Sequence, residues 1–215
     1  MHSLNRKVRG RRAMARKIAG ELVEHGYSVC ENFADPVLVE QLVGETRRRW
    51  DDGQFDYARV GQGEEKQLCP TVRSDRIHWL ENHDLDDGQA RYLEILEGLR
   101  LAINQATMMG IFEWEGHLAI YPAGTFYRRH LDVFRHARER KISTILYLNQ
   151  GWTPPDGGQL RLYLDGVSLD NYIDMAPKAG TLVTFLSEQF YHEVLPAHRE
   201  RMSITGWFRT RSQGF

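Results

Sequence analysis

A chain of 215 residues with 41% hydrophobic and 27% charged side chains has the composition of one ordinary globular domain, which excludes a disordered or fibrous protein and two large domains. Lys and Arg number 28 against 29 Asp and Glu, a formal charge of -1, so no global field recommends nucleic acid or an anionic membrane as partner. No apolar run is long enough to span a membrane, no hydrophobic signal core follows the first basic residues, and Cys30 and Cys69 are too few and too far apart for a disulfide framework or a Cys-rich zinc site; reduced thiols and a cytoplasmic location are expected.

The opening MHSLNRKVRGRRAMARK carries Lys or Arg at 6, 7, 9, 11, 12, 16 and 17 and no acid, which sets residues 1–17 apart as a basic arm, read first as a solvated terminus. From Arg11 to His25 the apolar Met14, Ile18 and Leu22 recur at helical spacing, and Gly26 stands where a helix-ending glycine would. YSVCENF, 27–33, alternates as a strand does, and Asp35-Pro36 opens a second helix that runs to Gly53. Residues 56–72 are polar and glycine-bearing, TVRSDRIHWL alternates briefly, and DLDDGQARYLEILEGLRLAINQ has the periodicity of a third helix. Residues 18–111 therefore form a helical support region with a long loop on the substrate side, and 56–80 is a candidate lid.

From residue 112 the texture changes to β-branched and aromatic runs, FEWEGHLAIYPAG, KISTILYLNQ, QLRLYL, TLVTFLS and RMSITGWFRTR, separated by Gly, Pro and Asp clusters. Short strands after a run of helices predict an α+β domain whose 112–215 core is a sandwich or barrel. PPDGG, 154–158, is a turn between strands, and neither a phosphate loop nor a dinucleotide fingerprint occurs.

Within YPAGTFYRRHLD, an extended backbone sends His130 and Asp132 to one face. His192, in EQFYHEVLP, supplies a third ligand type, and two imidazoles with one carboxylate leave open positions on an octahedral ion. Zinc can be held by the same side chains, so ligand type alone leaves the metal open. Downstream, RERMSITGWFRT offers Arg201 as a fork for a carboxylate, with Ser203 and Thr205 on its face of the strand.

The order H-x-D, a long gap, His, then R-x-S resembles the Fe(II)- and 2-oxoglutarate-dependent oxygenases, and more narrowly their prolyl 4-hydroxylase branch, which contains the oxygen-sensing hydroxylases and bacterial relatives. HGYSVCENF, VRSDRIHWL, YPAGTFYRRHLD, ILYLNQGWTPPDGGQLRLY, MAPKAGTLVTFLSE, HEVLPA and RMSITGWF carry the resemblance over residues 20–210. It implies a double-stranded β-helix (jelly-roll) core with the N-terminal helices packed on one sheet. It makes His130, Asp132 and His192 the iron ligands and Arg201 the partner of the distal carboxylate of 2-oxoglutarate. Tyr147 is then a second donor to that carboxylate, Tyr121 lines the cosubstrate pocket, Ser203 and Thr205 are polar helpers, and Trp207 is a wall. Arg73, Asp75, Trp79 and Tyr127 fall on the substrate side. Where the branch has glycine between the Arg and the Asp, this chain has Ser74, and LDGVSLDNYID, 164–174, is a longer insert than in the animal enzymes.

The implied cofactors are Fe(II), 2-oxoglutarate and O₂, with ascorbate as reductant. The implied partner is a protein with a target proline; a bacterial relative acts on a translation elongation factor, and no membrane or nucleic acid is expected. The alternatives are the same chemistry on a free amino acid or small metabolite, a non-catalytic metal-binding module, and nucleic-acid demethylation, supported only by the basic residues 6–17. Structurally neutral readings remain for a lone H-x-D, for Trp79 and Tyr127 as plain aromatics, for Arg73 with Asp75 as a surface salt bridge, and for RHARERK, 135–141, as a solvated loop. His78, His117, His136 and His198 lack partners at ligand spacing and are set aside.

Overall fold

The computed structural model describes the backbone of residues 2–59, 67, 69, 71–133, 139–166 and 168–211, and side chains from residue 8 onward. Helix α1 (His2–His25) starts upstream of Arg11, so the basic run lies inside a helix and the 17/18 boundary falls within it. Arg, Lys, Met and Ala all favour helix, which lets α1 continue past its apolar stripe. That stripe buries Ala15, Ile18, Ala19 and Leu22. The helix stops at Gly26, whose φ of 78° suits glycine and whose N–H donates to Leu22 O at 3.0 Å.

Helix α2 (Pro36–Asp51) starts where Asp35 accepts a hydrogen bond from the Leu38 N–H at 2.9 Å, with proline at the first helical turn. Helix α3 (Asp87–Thr107) is held to α2 by buried Glu45, which accepts from the N–H groups of Gly88 and Gln89 at 2.7 and 3.1 Å. Among the described residues no helix is long and apolar enough to cross a membrane.

The strands are β1 (Tyr27–Cys30), β2 (Asp56–Tyr57), β3 (Arg76–Trp79), β4 (Glu113–Tyr121), β5 (Tyr127–His130), β6 (Arg140–Tyr147), β7 (Leu160–Tyr163), β8 (Tyr172–Met175), β9 (Leu182–Leu186), β10 (His192–Val194) and β11 (Arg201–Arg209). The first strand ends short of residue 33, before Asn32 takes a left-handed φ of 57°. Strand β2 was not expected, and β8 occupies the end of the 164–174 insert, so both the loop and the insert are partly sheet. These strands pair antiparallel throughout, giving a seven-stranded sheet in the order β1-β9-β6-β11-β4-β3-β2 and a four-stranded sheet in the order β5-β10-β7-β8.

The larger sheet is buried on both faces. Leu118, Ile120, Ile142, Leu146, Leu182, Ile204 and Phe208 join the helices in one core, while Ala119, Tyr121, Ile145, Tyr147, Val183 and Phe185 join Leu160, Leu162 and Val194 of the smaller sheet in another. Alternate residues of each strand thus serve opposite cores, which is why these strands read as unbroken apolar runs. The arrangement is the α+β double-stranded β-helix that was expected, helices against one sheet.

Gly116 and Gly206 stand opposite each other on β4 and β11, beneath the Trp114 indole, whose Nε1 donates to Thr144 Oγ1 at 3.0 Å. A Cβ on Gly206 would lie 2.2 Å from Trp114 Cζ2 and 2.5 Å from Glu115 O. Gly206→Ala is therefore expected to lower unfolding free energy by about 1–3 kcal/mol, the range of an overpacked core, read from a urea midpoint shift at constant slope.

Candidate active site

Strands β5 and β10 are neighbours, and their register sets His130 directly opposite His192. Asp132, just beyond β5, turns back between them, with Oδ1 3.4 Å from His130 Nε2 and Oδ2 3.6 Å from His192 Nε2. The three ligand atoms all lie within 4.8 Å of one another, a separation that a single ion can bridge. The other nitrogen of each ring is occupied, His130 Nδ1 on Arg128 O at 2.8 Å and His192 Nδ1 on Phe190 O at 3.2 Å. A carbonyl can only accept, so Nδ1 carries the proton and Nε2 presents its lone pair inward. Ser143 Oγ donates to Asp132 Oδ2 at 2.6 Å and lies 2.9 Å from Ser187 Oγ.

Burial pushes Asp132 up, but the His192 and His130 imidazoles and the Ser143 hydroxyl more than offset it, holding the carboxyl well below the usual carboxylate range. Burial, helped by His130 and opposed by Asp132, brings His192 down to about 4. At neutral pH Asp132 is therefore a carboxylate and His192 a neutral imidazole, the forms in which they bind divalent ions.

Arg201, first residue of β11, is 1% exposed and lines the same cavity. Its Nε donates to Gly158 O at 3.0 Å, Nη2 has no partner, and no carboxylate pairs with it among the described residues. The guanidinium lies 4.9 Å from the Tyr121 ring centroid and 5.0 Å from that of Tyr147, whose hydroxyl is also unpartnered. Burial, opposed by the Arg201 charge, raises Tyr147 to about 12, so it stays a donor. A buried cation beside an idle phenol fits a carboxylate from outside the chain. Tyr121, Thr205 and Trp207 line the cavity, and Ser203 Oγ is 3.4 Å from Thr205 Oγ1.

Arg73, which also lines the cavity, forms a two-pronged ion pair with Asp75, 2.8 and 2.6 Å, and Asp75 is fully buried. The surface-pair reading is therefore corrected: the pair is internal. Arg73 also covers the Tyr127 ring at 4.3 Å, and that ring stacks on His130 at 3.6 Å. Ser74 keeps a negative φ and bonds Phe126 through both its N–H and its hydroxyl, so glycine is not needed there. Trp79 is 39% exposed at the mouth. The candidate lid is only partly described; within it β2 and β3 are bound into the larger sheet. Of RHARERK, residues 135–138 lie outside the described residues, while Arg140 pairs with Glu115 and Lys141 with Glu188.

His78 and His117, neither expected at the site, both line the cavity, and His117 Nδ1 has no partner among the described residues. Burial and nearby Arg73 push it down to about 3. His78 is engaged by Gln54 O and Arg49, His198 lies beside Gly157, and His136 is outside the described residues. The cavity measures about 1250 Å³, more than a small cosubstrate fills.

A family model described as the 2OG-Fe(II) oxygenase superfamily matches residues 116–209. Among curated proteins the chain is similar to a hypoxia-inducible factor prolyl hydroxylase of Caenorhabditis elegans, 30% identical over 213 residues, 94% of this chain and 29% of that protein. The chain thus spans under a third of that relative's length. Among solved structures, a Pseudomonas putida prolyl-4-hydroxylase shares 44% identity and a TM-score of 0.83, covering 93% of this chain and 100% of the other. A prolyl hydroxylase from Trichoplax adhaerens, in complex with a hypoxia inducible factor oxygen degradation domain peptide fragment, shares the fold at a TM-score of 0.82 and 24% identity, covering 94% and 92% of the two chains.

Ser143 fixes an oxygen of Asp132 and is not itself in the three-residue cluster, so Ser143→Ala is expected to weaken binding of Mn(II), a redox-quiet probe, by roughly 10–100-fold in a calorimetric titration. His117 adds a pH dependence. Its pKa is depressed in the folded state, so below pH 6.5 the unfolded chain takes up a proton that the folded one refuses. Stability falls on that account as pH drops from 6.5 toward 3, and His117→Phe should flatten the pH slope of the urea midpoint in that window.

Proposed function

The chain belongs to the 2OG-Fe(II) oxygenase superfamily, and from its cavity we propose an Fe(II)- and 2-oxoglutarate-dependent dioxygenase that hydroxylates a prolyl residue of a protein, releasing succinate and CO₂. The observation that carries this reading is the buried guanidinium of Arg201, without an acidic partner among the described residues, in the cavity that also holds the His130, Asp132 and His192 cluster. A metal-binding module with no cosubstrate would leave that charge uncompensated at a cost of several kcal/mol.

His130, Asp132 and His192 hold the iron on this reading, and Arg201 with Tyr147 holds the distal carboxylate of 2-oxoglutarate against Tyr121. Bound there, iron and 2-oxoglutarate supply the oxidising power: one atom of O₂ enters succinate as CO₂ leaves, and the other becomes the new hydroxyl. The chain's own work is placement. The Nδ1–H bonds to Arg128 O and Phe190 O fix both ligand rings, and Ser143 fixes the carboxylate between them. Apolar Ile145, Leu160 and Val194 in the wall keep the interior dry beside the charged groups.

The roomy cavity and half-exposed Trp79 at its mouth favour a polypeptide over a free amino acid. The relatives named hypoxia-inducible factor prolyl hydroxylase and prolyl-4-hydroxylase support proline as the target residue. A translation elongation factor is the proposed partner, ascorbate the reductant that keeps the iron active, and the cytoplasm the place of action.

The test is anaerobic loading with Fe(II) and 2-oxoglutarate, then succinate formation in air with and without purified elongation factor. The parent is expected to form succinate and to add 16 Da at a proline of the factor. His130→Ala should abolish both, and Arg201→Gln should raise the 2-oxoglutarate KM by roughly 100-fold or more, the loss of two charge-assisted hydrogen bonds. A parent that neither binds 2-oxoglutarate nor forms succinate refutes the oxygenase reading.

A further inference from the structure

Charge is spread unevenly along this chain. Residues 1–20 hold seven of the 28 Lys and Arg and none of the 29 Asp and Glu, so the rest of the chain carries -8 (21 minus 29). The near-neutral total conceals a basic segment on an acidic body, and the structure puts that segment on one element, the first half of α1. The helix joins the core only from Met14 onward, through Ala15, Ile18, Ala19 and Leu22. Residues 8–13, about 9 Å of helix, are exposed at every position.

Arg9, Arg11, Arg12, Arg16 and Lys17 are all exposed. Lys17 pairs with Glu21 one turn further on, while the four arginines pair with no acid among the described residues. Arg9, Arg12 and Arg16 recur at spacings of three and four, which aligns them in one row where like charges repel and weaken the helix. An anion lying along the row removes that penalty. We propose that this half of α1 is a docking arm for the phosphodiester backbone of a nucleic acid, bound without reading its sequence.

Residues 1–20 contain no Phe, Tyr or Trp, and Val8 is the only exposed large hydrophobic side chain of residues 8–17. A protein interface is centred on aromatic and apolar anchors, and a helix lying in a membrane surface buries a stripe of Trp, Phe or Leu. The arm meets neither requirement. A phosphate backbone asks only for charge and donors along a line, and five of the seven basic residues are arginines, whose guanidinium forks match phosphate oxygens better than an ammonium does. The major groove of duplex DNA admits an α-helix, and Arg11 beside the row of Arg9, Arg12 and Arg16 gives the arm charge on more than one side. The acidic remainder of the chain repels the same backbone, which confines contact to the arm. No residue of α1 lines the cavity, so this inference stands apart from the dioxygenase reading.

The test titrates the full chain into short fluorescein-labelled duplex DNA, duplex RNA and single-stranded RNA, following anisotropy from low to physiological salt. The parent is expected to bind, with log Kd on duplex DNA rising against log salt at a slope of about 4, roughly 0.9 for each of the five described basic residues. The triple variant Arg9→Gln, Arg12→Gln, Arg16→Gln keeps a similar helix propensity and should lower that slope by about 2.5 and the low-salt affinity at least ~10-fold. The triple variant with Lys at the same three positions should hold the slope within about one of the parent's. Far-UV circular dichroism and a urea midpoint no lower than the parent's establish that each variant is folded. Polyglutamate and vesicles of equal phosphatidylserine and phosphatidylcholine run alongside. No binding to any of the three nucleic acids at low salt, a parent-like slope in the glutamine variant, or a slope lost in the lysine variant overturns the arm. Tighter binding to polyglutamate or to the vesicles than to all three nucleic acids also overturns it, and assigns the charge to an acidic protein or a membrane. The tightest of the three nucleic acids identifies the source of the backbone.

Discussion

Strand β11 is buried on both faces, and the site depends on its register. It pairs along its whole length with β4 and along most of it with β6, so its alternation is fixed from both sides. Met202, Ile204 and Phe208 serve the helical core, while Arg201, Thr205 and Trp207 face the cavity. A slip of one residue would exchange the two sets, turning the guanidinium toward the helical core and putting Met202 or Glu200 in its place. The glycine pair under Trp114 has the same consequence, since only bare backbone lets the indole lie across both strands.

The buried charges divide into those that are satisfied by the chain and those that are not. Arg73 with Asp75, and Arg49 with Asp84 and Asp86, close on each other and tie segments together. Asp132 is held by two imidazoles and a hydroxyl, all arranged around the point where an ion fits. Among the described residues Arg201 has no anion of its own. The closed pairs are scaffold, and the open groups mark where a ligand completes the electrostatics; the distinction follows from desolvation cost, because a buried charge persists only where something compensates it.

Local chemistry made much of this legible from sequence. The Asp35-Pro36 start, the Gly26 stop and the H-x-D spacing are all short-range patterns, and each is realised in the structure. What was hidden depends on pairing between distant segments. His117 gave no signal because its neighbours, Trp79 and Thr205, are 38 and 88 positions away in number (117 minus 79, 205 minus 117) and meet it only through register. The spacing of Arg73 and Asp75 announced a pair but not its burial, which comes from Tyr127 and the β5 segment lying over it. Strand β2 is two exposed residues long, too short for any periodicity to show.

The segment on the substrate side is also joined to the metal strand. Arg73 bridges to Tyr127 through the backbone and covers its ring, Ser74 bonds Phe126, and Arg128 Nε donates to Thr71 O at 2.6 Å. Three successive residues of the chain around β5 are thereby fastened to residues 71–74, and the Tyr127 ring stacks on His130 at 3.6 Å. A guanidinium, a phenol and an imidazole form one column from the rim to the ligand cluster. Close-packed columns transmit displacement instead of absorbing it, so a shift of Arg73 acts on the orientation of His130 through the Tyr127 ring. The position of Arg73 and the orientation of His130 are therefore coupled by packing, and the buried Asp75 carboxylate anchors the outer end of that column.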